Sequence, residues 1–257
     1  MTKNENGTVS YSSKNNIGTI EFFHPKGNSL PGSLLKKLAD TIEQAGKDDD
    51  NQVIVIRSAG DGAFCAGASF DELTAISNLD EGKEFFMGFA NVFNAMRTCR
   101  KMILCRVHGK TVGGGIGIIA VSDFAIALRS SSIKLSELSL GIGPFVVGPA
   151  LNRKLGVSSF STLGLDARSW YDSGWALSSG LFSKVTDSVA ELDAEIKKLA
   201  SDLASSNPDA LSHMKEIFWQ GTGHWESTLE QRAEISGKLV LSKFTEEYIE
   251  NFKRKNK

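Results

Sequence analysis

The residues whose types and spacing suit chemistry are concentrated between Gly109 and Phe124, around the run Gly113-Gly114-Gly115. An apolar stretch, Met102 to Val107, leads into this run and reads as a buried strand through Ile103, Leu104 and Val107. The glycines then open a short apolar helix. Glycine lets other groups approach the backbone closely, because no Cβ stands in the way. The first N–H groups of a helix lack partners inside it, and with the helix dipole they attract negative charge. The chemistry this suits is the holding of a developing anion on backbone donors. Tight packing of a helix on a strand is the competing use of the same glycines.

Two phosphate-binding patterns can be weighed against this stretch. A P-loop needs Gly-Lys-Ser/Thr after its glycine-rich turn, whereas Gly109-Lys110-Thr111 comes before it. Gly115-Ile-Gly117-Ile-Ile-Ala120 fits the dinucleotide pattern G-x-G-x-x-G/A, with Glu137 at a suitable distance for a ribose-binding acid. However, His108 to Val112 separate the strand from the glycines, where that fingerprint wants a direct step from strand to turn. A second backbone-rich stretch, Ser58 to Leu73, runs from a strand into the small residues Cys65-Ala66-Gly67-Ala68 and then a helix with Ser69 as N-cap. It is another place where bare N–H groups face outward at a strand end.

The elements that must position these loops follow from periodicity. Residues 8–12 and 17–23 alternate as a hairpin with Asn15-Asn16 at its turn. Leu34, Leu35, Leu38 and Ile42 define a helix from Pro31 to about Lys47, and Val53–Ile56 a buried strand. Helix 81–100 carries Phe85, Phe86, Phe89, Phe93 and Met96 on one stripe, which suits a core face or an apolar pocket wall. Strands follow at 124–128 and 133–135, the second delivering Glu137, and Gly141-Ile-Gly-Pro144 is a turn. Beyond Val146 the pattern predicts helices at 146–154, 156–164, 169–179, 189–205, 209–219, 227–241 and 245–255, with a short strand near 181–185.

The whole chain sets bounds on these readings. At 257 residues it can bury a large core, and its 41% hydrophobic and 23% charged content is that of a globular protein. A net charge of −1 argues against sequence-independent nucleic-acid binding. No apolar run reaches membrane-spanning length, and the first residues lack an apolar signal core. Cys65, Cys99 and Cys105 are too scattered for a disulfide framework or a metal site, which points to a reducing cytoplasm.

Ala63-Phe-Cys-Ala-Gly-Ala-Ser69, then His108-Gly…Gly113-Gly-Gly115, then Leu135-Ser-Glu-Leu-Ser-Leu-Gly141 resemble, in order and spacing, the crotonase (enoyl-CoA hydratase/isomerase) superfamily. His24-Pro25…Asn28-Ser29-Leu30 and Trp175-Ala…Gly180-Leu-Phe-Ser-Lys-Val185 extend the resemblance over nearly the whole chain. It implies an α/β fold, a spiral of ββα units over residues 1–190, with a helical oligomerisation region over 191–257 that makes homotrimers, often paired into hexamers. It also implies acyl-CoA thioester substrates and no separate cofactor, coenzyme A being part of the substrate. The enolate would be held by the N–H groups of Ala68 and Gly114, with Glu137 as catalytic acid/base. The backbone of Ala66 and Ala68 would hold the adenine, and Lys255, in Phe252-Lys-Arg-Lys255, would approach the CoA phosphate or belong to a solvated basic tail.

Two residues and one segment depart from the resemblance. Gly117 stands where hydratases of the family carry a second glutamate. Ser69 replaces an aspartate, and Gly141-Ile-Gly-Pro-Phe-Val-Val-Gly148 replaces a Pro-Gly-rich segment and brings Phe145 near the acyl end. Hydration of a 2-enoyl-CoA is the leading expectation. Isomerisation of a 3-enoyl-CoA by one glutamate, a silent acyl-CoA-binding scaffold, and a dinucleotide-dependent oxidoreductase are the alternatives. His108, Lys110 and Glu72 are the available substitutes for the missing carboxylate.

Overall fold

The structure, a computed structural model, describes residues 6–255, with the side chains of Phe252 and Lys255 excepted. It opens with the hairpin β1 (Thr8–Lys14) and β2 (Asn16–Phe23), in register Tyr11↔Ile20. Asn15 and Asn16 adopt φ of 55° and 60°, the left-handed pair that a two-residue hairpin turn requires. Helix α1 (Gly32–Lys47) buries Leu34, Leu35, Leu38 and Ile42 as its spacing predicts. Strand β3 (Asn51–Ser58) follows, then a one-turn helix α2 (Phe70–Leu73) and the long α3 (Leu79–Thr98).

Strand β4 (Met102–Val107), strand β5 (Thr111–Val112), helix α4 (Gly114–Val121), β6 (Phe124–Leu128) and β7 (Ser132–Lys134) make the middle of the chain. A 3₁₀ turn over Glu137–Leu140 leads to α5 (Gly148–Leu165). Then come β8 (Tyr171–Asp172), α6 (Ser173–Ser178) and β9 (Lys184–Thr186). Four helices close the chain: α7 (Val189–Ala204), α8 (Pro208–Phe218), α9 (Trp225–Val240) and α10 (Lys243–Lys255).

The strands form a six-stranded sheet, β1-β2-β3-β4-β6-β9, parallel except at the hairpin, and a small sheet, β5-β7-β8. Alternate residues of β3 and β4 serve opposite faces, as strand geometry dictates. Ile54, Ile56, Ile103 and Cys105 join the large core beneath α1 and α3. Val53, Val55, Met102 and Leu104 join a second core with Leu192, Ile196 and Ala200 of α7. Asp123, just before β6, accepts from Ile103 N at 2.7 Å, Lys215 Nζ at 2.6 Å and Trp219 Nε1 at 3.1 Å, which ties α8 to the sheet.

Three local expectations are corrected. The helix expected at 169–179 starts only at Ser173. Tyr171 pairs with Ile133 as a sheet edge, and Asp172 caps the helix by accepting from Trp175 N at 2.8 Å. Residues 111–112, read as connecting loop, pair with Ile133 and Lys134. The helices expected at 146–154 and 156–164 are present as two stretches of α5, separated at Gly156, whose φ of 73° and ψ of 167° are not helical. The strand near 181–185 is shifted to 184–186, because Leu181 and Phe182 turn into the core instead.

The C-terminal helices share the body's cores. Trp219, Trp225, Leu229 and Ala233 belong to the large core, and α9 lies along α3. The crossing is close because both helices offer glycine there: a Cβ at Gly82 would stand 2.9 Å from Gly237 Cα.

Candidate active site

A cavity of about 320 Å³ opens where the two glycine-bearing loops meet. Ala66, Ala68, Gly113, Gly114 and Glu137, apart in sequence, all line it. The parallel bridges Leu30↔Ala68 and Cys65↔Thr111 bring the first loop against the second. Leu30 N donates to Gly67 O at 2.8 Å and Val112 N to Cys65 O at 2.9 Å. Asn28, itself at φ 55°, braces the first loop from behind, its Nδ2 donating to Ala59 O at 3.0 Å and Ala63 O at 2.9 Å.

Two main-chain donors belong to residues that line the cavity. Gly114 begins α4, so its N–H has no acceptor inside the helix. No hydrogen bond of the Ala68 N–H occurs among the described residues. The N–H of Ala66 is used, donating to Gly27 O at 3.2 Å, which leaves its carbonyl for any ligand. Lys255 closes α10, and its side chain lies outside the described residues.

The glycines serve packing and ligand access together. Gly113 has φ 54° and ψ −123°, a backbone that only glycine adopts readily, and a Cβ there would sit 3.0 Å from Glu137 Oε1. Its neighbours press on the core instead. A Cβ on Gly115 would meet Cys65 Cβ at 2.7 Å, and one on Gly117 would meet Phe93 Cζ at 2.1 Å. The dinucleotide alternative loses its support here, because Gly115 and Gly117 are buried against core side chains. Phe93, fully buried, fills the space into which a side chain at position 117 would project.

Glu137 begins the 3₁₀ turn that follows β7, and its carbonyl accepts from Ile142 N at 3.1 Å. Its Oε2 is buried and has no hydrogen-bond partner among the described residues. Burial pushes its carboxyl from 4.5 to about 7, against a hydrogen bond with its own backbone that pulls the other way. A carboxylic acid poised there exchanges protons readily in either direction.

None of the substitutes named for a second carboxylate lines the cavity. Glu72 Oε2 accepts from Gly32 N at 2.8 Å, and Lys110 lies 5.0 Å over the Trp170 ring. His108 is buried with Nδ1 3.1 Å from Arg106, and burial followed by that guanidinium lowers its pKa. Ser69 acts as the N-cap its position suggests, accepting from Glu72 N at 3.3 Å.

Much of the remaining wall is apolar, with Lys134, Ser136 and Ser139 in its polar part. Phe85, Phe86 and Phe89 of α3 line it with Leu73, Ile142 and Phe145, so the phenylalanine stripe serves as core at Phe93 and Met96 and as pocket wall at its start. Ser236 of α9 and Tyr248 of α10 also line the cavity. Sequence reasoning missed both, since they lie about a hundred residues from the motifs and belong to no pattern.

The sequence profile of the enoyl-CoA hydratase/isomerase family matches residues 12–257, and the chain belongs to that family, the crotonase superfamily. It is 27% identical over 207 residues to a short-chain-enoyl-CoA hydratase of Clostridium acetobutylicum, covering 80% of this chain and 78% of that protein. It is 30% identical over 198 residues to human mitochondrial methylglutaconyl-CoA hydratase, covering 76% and 58%. It is 23% identical over 268 residues to a 3-hydroxyisobutyryl-CoA hydrolase of Danio rerio, covering 99% and 67%. The fold matches an enoyl-CoA hydratase structure from Bacillus halodurans with a TM-score of 0.87 at 20% identity, covering 95% of this chain and 99% of that one.

Proposed function

We propose that the chain acts on an acyl-CoA thioester by moving a proton at carbon, with Glu137 as the single acid/base and the N–H groups of Ala68 and Gly114 holding the enolate oxygen. The observation that carries this is Glu137 Oε2, buried beside the start of α4 and without a hydrogen-bond partner among the described residues. Backbone donors aimed at a developing oxyanion are worth about 3–4 kcal/mol each in such sites. The backbone of Ala66 and Ala68 is the seat assigned to the adenine, with the CoA phosphate toward the end of α10.

Hydration of a 2-enoyl-CoA is the first reading, supported by the hydratases among the relatives. In it the Glu137 carboxylate takes a proton from water as the oxygen adds to C3. The thioester becomes an enolate, and Glu137 returns a proton to C2. The second reading, isomerisation of a 3-enoyl-CoA, is favoured by Phe93, which closes the space beside Gly117 to a second carboxylate. There Glu137 takes a proton from C2 and delivers it to C4, with no water consumed.

The test is turnover of crotonyl-CoA and, separately, a 3-enoyl-CoA, followed through the conjugated 2-enoyl absorbance. Loss of absorbance with crotonyl-CoA assigns hydration, and a gain with the 3-enoyl substrate alone assigns isomerisation. Glu137→Gln should lower either rate by at least about a hundredfold while CoA binding persists. Undiminished turnover in that variant would remove Glu137 from the mechanism.

A further inference from the structure

We infer that this site is built for an acyl group bearing an uncharged oxygen function, a hydroxyl or carbonyl, beyond the reacting carbons, and that Ser236 is the residue that reads it. The inference rests on the acyl-CoA reading above. Ser236 is 1% exposed, yet its hydroxyl has no hydrogen-bond partner among the described residues, and the side chain lines the cavity. A helical serine commonly bonds back to the carbonyl four residues earlier. This one does not, so its hydroxyl is available to whatever fills the cavity.

The position of Ser236 places it at the acyl end. The next residue, Gly237, touches Gly82, one turn before Phe86 on α3. Val240, one turn later on α9, packs with Leu73, Ile142, Phe85 and Phe86. The hydroxyl is therefore set beside an apolar stretch of the wall, where a purely hydrocarbon chain would strip its water and leave it unsatisfied. That loss is avoided when the ligand supplies an oxygen. Tyr248, from α10, brings a second hydroxyl to the same cavity with no hydrogen bond among the described residues.

Charge selects between oxygen functions. Lys134 is the one cation among the described lining residues, and its ammonium lies 5.8 Å over the ring of Trp170, which is not among them. A terminal carboxylate would enter beside Glu137 with only Lys134, already placed over Trp170, to answer its charge, at a high desolvation cost. A neutral hydroxyl or ketone meets no such cost.

The experiment measures Kd for saturated acyl-CoA thioesters of equal chain length, unsubstituted or carrying a hydroxyl or a carboxylate at the far end. Saturated chains make the result independent of turnover. The hydroxylated thioester should bind about tenfold tighter than the plain one, the size of one good hydrogen bond. Ser236→Ala should abolish that advantage, in part by tightening the plain thioester's Kd now that no hydroxyl is left unsatisfied, with an unchanged Tm reporting an intact fold, and Tyr248→Phe should reduce the advantage in part. The inference is overturned if the plain chain binds as tightly as the hydroxylated one, if the carboxylate binds tightest, or if Ser236→Ala keeps the preference. Failure of all three thioesters to bind would instead overturn the acyl-CoA reading itself, and this inference with it.

Discussion

At the scale of the residue, Glu137 joins two demands that oppose each other. Its carboxyl is pushed up to about 7 by burial, so the folded state favours its protonated form. Its contribution to stability is fully present below the ordinary 4.5 and is lost as pH rises through about 7. The proposed chemistry starts from the ionised form, so kcat/KM should climb through the same window. A pH series of kcat/KM and of Tm on wild type and Glu137→Gln is the check. The wild type should gain activity with an apparent pKa near 7 as the residue's stabilising share falls away. The variant's Tm should lack this component, and an unchanged pH dependence of Tm in it would refute the assignment.

At the scale of the element, the contact between α3 and α4 decides how many carboxylates the site can hold. Gly117 lies against Phe93, so enlarging it forces the ring to move. Gly117→Ala should cost about 1–3 kcal/mol by denaturant unfolding, the range for overpacking a filled core. Phe93→Ala alone should cost about 3–5 kcal/mol. The double variant should be less destabilised than the sum, because the alanine enters the space the ring vacates. Strict additivity would mean that the two residues do not share that space. The sequence made Gly117 legible as a missing carboxylate and Phe93 legible as part of a stripe. That one occupies the other's space was not legible, because it depends on how two helices cross. The hairpin turn, α1 and β3 were readable because each follows from local periodicity and turn chemistry. Residues 111–112 and Tyr171 were misread because their pairing partner, β7, is distant in sequence for one and hidden behind a helix-like pattern for the other.

At the scale of the whole molecule, the pocket draws on nearly the full length of the chain. The loops that carry Ala68 and Gly114 come from the sheet, whereas Ser236 and Tyr248 come from the last two helices. No described helix is long and apolar enough to cross a membrane. Met214, Ile217 and Phe218 are nevertheless exposed on α8 at spacings that set them side by side. Together with the resemblance, they lead us to expect self-association into trimers or hexamers. Sedimentation should return three or six times the mass of one chain, and Ile217→Asp should shift the population toward smaller species. A wild-type monomer at micromolar concentration would contradict the expectation.

The two amides at the strand ends have one more consequence, which concerns how such a protein changes over generations. A donor supplied by the main chain is not encoded by any particular side chain. At Ala68 only proline deletes it, whereas Gly114 also resists larger residues because Phe89 stands 2.6 Å from where a Cβ would lie. The roof, by contrast, is written in side chains such as Ser236 and Phe145, each open to replacement one codon at a time. A lineage can thus try new acyl groups while the amides proposed to hold the oxygen pass unaltered from parent to descendant.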